Sequence, residues 1–202
     1  MRIGVLALHG DFAEHLSMLR SLGPERPADP GSVVAVEVRL PRQLDSLDGL
    51  IIPGGESTTI GKLMVDYGML EPLRARIRSG LAVFGTCAGA ILLARDLGGS
   101  TQPRLGVMDL SIRRNAYGRQ IQSFETDVEV SEIGGPPLRA VFIRAPAIVG
   151  CGPTVRILAS LPNGSIVAAR QGRLLAAAFH PELSGDGRLH RYFLSMAEAR
   201  AA

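Results

Sequence analysis

The chain has 202 residues, of which 46% are hydrophobic, which is enough for one well-buried domain over residues 1–202 but short for two. Its formal net charge is only +3, and its arginines are scattered rather than interleaved with aromatic residues, which argues against nucleic-acid binding. Cys87 and Cys151 form neither a disulfide framework nor a C-x-x-C zinc motif, and no apolar run reaches the roughly 18 residues of a membrane span. We therefore expect a cytoplasmic protein without a membrane or nucleic-acid partner.

The first half of the chain alternates between short apolar runs and amphipathic segments. Strands are predicted at residues 3–8, 33–39 and 50–52. A helix with Asp11 as N-cap follows the first strand and ends at Gly23, and the proline-rich residues 24–32 are expected to form an exposed loop. Further helices are predicted after Gly54-Gly55 and from about Pro72 to Gly80. This alternation predicts a mostly parallel sheet with helices on both faces, whose ligands gather beyond the carboxyl ends of the strands.

The second half has a different pattern. Short strands are predicted at residues 121–130, 166–169 and 174–179, and we expect them to be antiparallel additions to the sheet. Residues 189–199 predict an amphipathic closing helix. The fold class expected from the whole pattern is α/β, a single three-layer domain.

A cysteine lies at a predicted sharp turn between a strand and a helix. The apolar run 81–84 precedes Gly85-Thr86-Cys87-Ala88-Gly89, and a helix-like stretch, residues 90–95, follows. Glycines two residues before and after a reactive side chain allow a strained, exposed position, as in the G-x-S-x-G turn of serine hydrolases. The backbone N–H of Ala88 and the helix N-terminus would favour a thiolate and a developing oxyanion. The pattern predicts that Cys87 is a nucleophile.

A base, an acid and a second oxyanion donor are available at other strand ends. His180 and Glu182 follow an apolar strand, and Pro181 disfavours a helix there, so the two side chains are expected to project to one side. His180 could exchange the proton with Cys87 while Glu182 holds the tautomer, and Gly55 could offer a bare N–H. Each feature alone has an ordinary structural explanation, but their joint occurrence favours catalysis. Cys151, between Gly150 and Gly152, has no such context and is expected to be structural. No catalytic role is predicted for His9, His15 and His190, which have no acid or cysteine partner at useful spacing.

These residues lie in motifs that resemble those of class I glutamine amidotransferases, and closely those of the glutaminase subunits of pyridoxal 5'-phosphate synthase. The matching segments span nearly the whole chain: L-A-L-H-G-D at 6–11, P-G-G-E-S-T-T at 53–59, F-G-T-C-A-G at 84–89, R-N-A-Y-G-R-Q at 114–120, F-I-R-A-P at 142–146 and F-H-P-E-L at 179–183. The cysteine, histidine and glutamate set is common to many glutaminases. The second, fourth and fifth segments together are specific to this subfamily.

The resemblance implies a flavodoxin-like glutaminase fold and hydrolysis of L-glutamine through a Cys87, His180 and Glu182 triad and a glutamyl thioester, with no metal or organic cofactor. It implies Gly55 and Ala88 as oxyanion donors. It also implies a set of glutamine-site residues: Gly55, Glu56, Ser57, Arg114, Ile143 and Arg144. Family members pass ammonia to a separate (β/α)8-barrel synthase subunit, within a multi-subunit complex. A related hypothesis is that the chain alone turns over slowly until the barrel completes the oxyanion hole.

Three alternatives stay open on the sequence alone. One is the glutaminase subunit of another amidotransferase, such as that of histidine biosynthesis; another is a cysteine peptidase of similar fold; the third is a catalytically silent scaffold subunit. Two departures from the family pattern also stand out: His9 replaces the glutamine expected in L-x-L-Q-G, and the loop at 24–32 is longer than usual.

Overall fold

The computed structural model describes residues 1–23, 32–114 and 123–199. Within them the α-helices are α1 (Phe12–Leu22), α2 (Ser57–Asp66), α3 (Leu70–Arg78), α4 (Ala88–Leu93) and α5 (Arg188–Glu198). The strands are β1 (Arg2–Leu6), β2 (Val34–Val38), β3 (Gly49–Ile52), β4 (Ala82–Thr86), β5 (Ala94–Asp96), β6 (Met108–Arg113), β7 (Ser123–Val128), β8 (Leu138–Ile143), β9 (Ala147–Cys151), β10 (Arg156–Ser160), β11 (Ile166–Gln171) and β12 (Leu174–Ala177). Two 3-10 turns cover Pro41–Ser46 and Pro181–Leu183.

The main sheet has the strand order β2-β1-β3-β4-β12-β11-β9-β6-β5, with β10 paired to β11. The five strands from β2 to β12 in this order are parallel, whereas β11 pairs antiparallel with β12, β10 and β9. Strands β7 and β8 form a separate antiparallel pair. The chain reverses its direction of winding at β1, and in such sheets ligands bind outside the carboxyl ends of the strands around that point.

Helices cover both faces of the sheet, so the molecule has three layers. Along β3, Leu50 and Ile52 pack into one apolar cluster with α2, α3 and α4, whereas Ile51 packs into a second cluster with α1 and α5. This alternation follows from the two-residue period of a strand, and it explains why the parallel strands β3 and β12 are apolar on every residue. The second cluster also receives the β7–β8 pair through Phe142 and Leu138.

The expected three-layer α/β fold, with its mostly parallel sheet and antiparallel additions, is confirmed, with three local corrections. Strand β12 is parallel to β4 and completes the parallel part of the sheet, so only its β11 edge is antiparallel. The helix after Cys87 ends at Leu93, and the next residues form β5. A 3-10 turn begins at Pro181, where the sequence indicated extended chain; three-residue turns accept proline at their first position.

Parts of two predicted segments lie outside the described residues: 24–31 of the proline-rich loop and 121–122 of the predicted strand 121–130. The remainder of that strand is β7, which belongs to the separate pair rather than to the main sheet. No helix in the described part of the chain combines the length and apolar character needed to cross a bilayer.

Candidate active site

Cys87 is the single residue between β4 and α4, and its backbone has φ 46° and ψ −101°. A positive φ is strained for a residue with a side chain and costs on the order of 1–3 kcal/mol. The glycines beside it are required by close backbone approach: a Cβ on Gly85 would lie 2.5 Å from the carbonyl carbon of Gly89, and a Cβ on Gly89 would lie 2.0 Å from the carbonyl oxygen of Ile52. The predicted strained turn is confirmed.

The thiol itself is more enclosed than the sequence indicated. Cys87 is only 6% exposed, so its sulfur is reached through a pocket rather than from the open surface. Its Sγ lies 3.9 Å from the carbonyl oxygen of Ile143. Ala88 is the first residue of α4, where a backbone N–H has no acceptor inside the helix. That N–H is therefore available as an oxyanion donor, a role that stays a prediction.

His180 joins the nucleophile to the acid. Its Nδ1 lies 2.7 Å from Oε1 of Glu182, which leaves Nε2 for the sulfur of Cys87. Burial alone would lower the pKa of His180, but hydrogen bonds to Cys87 and Glu182 and their negative charges raise that pKa to about 10. Burial raises the pKa of Glu182, and the hydrogen bond and charge of His180 oppose that rise. The predicted neighbourhood of His180 and Glu182 is confirmed, and it favours an imidazolium beside the sulfur at neutral pH.

Strand register explains why residues distant in sequence meet here. Ile52 of β3 is opposite Gly85 of β4, and Ala177 of β12 is opposite Thr86. Cys87, the Gly54-Gly55 pair and His180 therefore all leave the sheet at one edge within three residues of a strand end. The ring of His180 lies directly against Gly54, because a Cβ there would be 2.4 Å from its Cε1.

A pocket of about 330 Å³ opens over Cys87. Its lining includes most of the residues implicated by sequence: Gly55, Glu56, Ser57, Cys87, Arg114, Ile143, Arg144 and His180. It also includes four residues for which the sequence predicted no role in the site: Asp11, Ile91, Pro146 and Leu183. Glu182 and Ala88 lie behind this lining, the first beyond His180 and the second under Cys87. The volume is within the range of small-molecule sites, which is about 300–1,000 Å³.

A charged pair lies at one side of the pocket. Arg114 donates to Oε1 of Glu56 at 2.9 Å and to Oε1 of Gln102 at 2.7 Å. The other carboxylate oxygen of Glu56 accepts the backbone N–H of Thr59 at 2.7 Å and caps α2. Burial would raise the pKa of Glu56, but the N–H donors at the start of α2 and the charge of Arg114 lower it overall. Both side chains are held in place while remaining partly exposed to the pocket.

Two residues near the start of α1 have contacts that the sequence did not reveal. Asp11 is at the N-cap position, but its side chain makes no capping hydrogen bond; its Oδ2 lies 3.4 Å from Nδ1 of His180 instead. His15, one helical turn later, has its Nε2 3.3 Å from Oε2 of Glu182. The reading of His15 as a residue without an acidic partner is therefore wrong. The sequence spacing could have indicated these contacts. Asp11 and His15 follow β1 and are four residues apart, which places them on the same face of the helix near the carboxyl end of the strand.

His9, which stands where the family motif has glutamine, also lies close to the site. His9 is exposed, and its Cδ2 is 3.4 Å from the position that a Cβ of Gly55 would take. The substituted residue therefore neighbours the glycine assigned as an oxyanion donor.

Among the described residues, Asp11, His180 and Glu182 place three possible metal-ligand atoms within 4.8 Å of one another. Two of these residues already form the His180–Glu182 hydrogen bond that orients the imidazole.

Comparison with known proteins gives the family. The family model described as "SNO glutamine amidotransferase family" matches residues 5–199. Pyridoxal 5'-phosphate synthase subunit PdxT of Pelotomaculum thermopropionicum is 56% identical over 194 residues, covering 96% of this chain and 94% of that protein. The protein of the same name from Carboxydothermus hydrogenoformans is 54% identical over 194 residues, covering 96% of each chain. A solved structure described as a glutamine amidotransferase is 51% identical, covers 96% of this chain and 98% of its own, and superimposes with a TM-score of 0.88. The chain belongs to the SNO glutamine amidotransferase family.

Proposed function

We propose that the chain is a glutaminase that hydrolyses L-glutamine to L-glutamate and ammonia. The observation that carries this proposal is the chain of contacts from Cys87 through His180 to Glu182, in which Cys87 and His180 line one pocket and the nucleophile lies on a strained turn. Membership of a glutamine amidotransferase family supplies the substrate class.

In the first half-reaction the thiolate of Cys87 attacks the side-chain amide carbon of glutamine. The new C–S bond pushes an electron pair onto the carbonyl oxygen, and the N–H groups of Gly55 and Ala88 would stabilise that oxyanion. The imidazolium of His180 donates its Nε2 proton to the amide nitrogen as the C–N bond breaks. Ammonia leaves, and a glutamyl thioester remains on Cys87.

In the second half-reaction water cleaves the thioester. Neutral His180 removes a proton from the water as its oxygen attacks the thioester carbon, and the C–S bond then breaks to release glutamate and regenerate the thiolate–imidazolium pair. Glu182 keeps Nδ1 protonated throughout by accepting its hydrogen bond. The overall balance is glutamine plus water to glutamate plus ammonia.

The charged pair beside the pocket suits the amino-acid end of glutamine, which is a zwitterion. We assign Arg114 to the α-carboxylate of glutamine and Glu56 to its α-ammonium group, because each side chain has the charge opposite to that of the group it would bind. Both side chains are themselves held by neighbouring groups. Ser57, Ile143 and Arg144 line the same pocket, and we assign them to the glutamine site with Gly55.

The thiol is tested by replacing it. Cys87→Ala is expected to lower glutamate release from glutamine by at least about 10³-fold, because no other group can form the thioester. The matched control is Cys151→Ala, which removes the exposed second thiol and should leave the rate unchanged. Covalent labelling of the unsubstituted chain by a glutamine-like electrophile at Cys87 separates an active enzyme from a silent scaffold. Undiminished hydrolysis by Cys87→Ala would remove the thiol from the mechanism.

We further propose that the ammonia is passed to the (β/α)8-barrel subunit of a cytoplasmic pyridoxal 5'-phosphate synthase complex. The relatives reported above carry the name of that synthase's subunit, which favours it over the glutaminase of histidine biosynthesis. A pull-down from the source cell, followed by a glutaminase assay with the retrieved partner, tests the assignment. Retrieval of a different synthase would support the alternative, and cleavage of peptides instead of glutamine would support a peptidase.

A further inference from the structure

A line of buried imidazoles continues behind the proposed triad. Oε2 of Glu182, the oxygen not bonded to His180, lies 3.3 Å from Nε2 of His15. The same Nε2 lies 3.0 Å from Oγ1 of Thr86, and Nδ1 of His15 lies 3.0 Å from Nε2 of His190. His15 and His190 are both 0% exposed, so neither can exchange these partners for water.

Both imidazoles are neutral near pH 7. Burial, followed by the charges of His190 and His180, lowers the pKa of His15 well below its ordinary value. Burial lowers the pKa of His190 to about 4. A neutral imidazole has one N–H donor and one acceptor nitrogen, so the contacts of the pair decide where each proton lies.

One arrangement of protons satisfies these contacts best. If His190 donates from Nε2 to Nδ1 of His15, then His15 carries its proton on Nε2, facing Thr86 and Glu182. The other arrangement would turn a lone pair of His15 toward the carboxylate and bury an N–H at Nδ1 of His190, for which the described residues offer no acceptor. An unpaired buried donor is costly, and a carboxylate oxygen can only accept.

We propose that His15 is a positioning residue, whose Nε2–H holds the second oxygen of Glu182 and thereby keeps the carboxylate aligned on His180. This inference rests on the proposed glutaminase function and adds a member to its site. Among the described residues Oε2 of Glu182 makes no hydrogen bond of good geometry, and its contact with His15 is no exception. Nε2 of His15, which is bonded to Thr86 and lies 3.3 Å from Oε2, is close enough to stabilise the charge of that oxygen. Losing that N–H would take the polar group 3.3 Å away from this buried oxygen, and the carboxylate would then hold the imidazolium of His180 less well.

Replacing His15 by Gln or by Asn distinguishes a positioning role from a packing role, because the two amide side chains differ in length. In His15→Gln the side-chain NH2 sits near the place of the imidazole Nε2 and can still donate to Glu182. In His15→Asn the NH2 sits near the place of Nδ1 and reaches only toward His190. A hydrogen bond to a charged group contributes about 1.5–3 kcal/mol, which corresponds to about 10- to 100-fold in rate. We therefore expect kcat to fall by that factor in His15→Asn with little change in KM, and His15→Gln to remain within a few-fold of the unsubstituted chain.

A pH profile of kcat/KM gives a second readout. The titratable groups that face Glu182 are His180, His15 and Asp11, and those that face His15 are His190, His180 and Glu182. Only His15 differs between the variants. The alkaline limb, set by loss of the His180 proton, should move to lower pH in His15→Asn and stay in place in His15→Gln.

Leu19→Ala controls for simple loss of stability, since it removes a buried contact from the same helix without touching the site. Equal rates for the Asn and Gln variants would overturn the proposal. A rate loss that tracks the melting temperature in all three variants would also overturn it. The same holds if His15→Asn is unfolded while His15→Gln is folded and fully active, because either result assigns His15 to stability alone. Glutaminase activity of the unsubstituted chain and its loss in Cys87→Ala test the proposed function separately.

Discussion

At the scale of single residues, the absence of a side chain at Gly54 sets the position of the proposed catalytic base. A Cβ on this residue would lie 2.4 Å from Cε1 and 3.0 Å from Nδ1 of His180, and 3.0 Å from Oδ2 of Asp11. The ring is also held by Glu182, whose Oε1 lies 2.7 Å from Nδ1 of His180. The base is thus confined between a carboxylate and a bare backbone, so its orientation depends on both.

Gly54→Ala should therefore displace the imidazole. The added methyl would lie 2.4 Å from Cε1 of His180, and a displacement of about 1 Å at a reacting group can cost about 10²-fold in rate. We expect kcat to fall by that order, measured as glutamate release at saturating glutamine. Gly150→Ala is a matched control, because its methyl would meet only ordinary contacts at 3.6 Å from Ser111. A Gly54→Ala enzyme with normal kcat would contradict this account of how the ring is held.

At the scale of elements, α1 and α5 pack on the same face of the sheet through buried histidines. His190 of α5 contacts His15 of α1 and meets the ring of Phe84 in β4 edge to face, with centroids 5.7 Å apart. A polar contact in an apolar layer is stable only while both imidazoles remain neutral. The packing of these two helices is therefore coupled to pH.

We expect the free energy of unfolding to fall between pH 6.5 and pH 4. In the unfolded chain His190 takes up a proton below its ordinary pKa of 6.5, but in the folded chain only below about 4, so the unfolded state gains protons first as the pH falls. The difference in pKa corresponds to about 3 kcal/mol from His190 alone. Urea unfolding of the unsubstituted chain and of His190→Leu, at a series of pH values, measures it. In His190→Leu the free energy of unfolding should depend less steeply on pH, because the contribution of His190 is gone. Parallel plots of unfolding free energy against pH for the two proteins would contradict the low pKa assigned to His190.

At the scale of the whole molecule, the pocket lies at the rim formed by the carboxyl ends of β1, β3, β4 and β12. The end of β8 adds Ile143 and Arg144 to the pocket, where Arg144 has a φ of 45° and Ile143 and Leu183 are 37% and 43% exposed. The site is therefore built from loops at one end of a rigid sheet, and apolar side chains at that end are left open to solvent. A partner covering this rim would contact the catalytic loops directly.

The proposed synthase subunit should accordingly raise the glutaminase rate. An oxyanion donor is worth about 10²–10³ in kcat, so a partner that brings the Gly55 N–H into place should activate by up to about that factor. Glutamate release with and without the purified synthase subunit measures the effect. Equal rates would count against completion of the oxyanion hole by the partner while leaving the triad itself in place.

Much of the site could be predicted because its motifs are local. The turn around Cys87 requires Gly85 because its backbone approaches that of Gly89 four residues later, and the His180–Glu182 pair is separated by one proline. Strand and helix periods likewise predicted the layers and located β1–β4, β7, β11, β12 and the helices, whereas β5, β6, β8, β9 and β10 were not predicted. Errors arose where a neighbour distant in sequence decided the outcome, as for the parallel pairing of β12 with β4.

The sequence by itself determined the chemical groups of the site and the strand ends that carry them, since these follow from short-range sterics and periodicity. Only the tertiary structure decided that Asp11 faces His180 rather than capping its own helix, and that His15 and His190 stand behind Glu182. Those contacts join residues up to 175 positions apart. Their partners are set by sheet register and by the packing of α1 against α5, which no local pattern encodes.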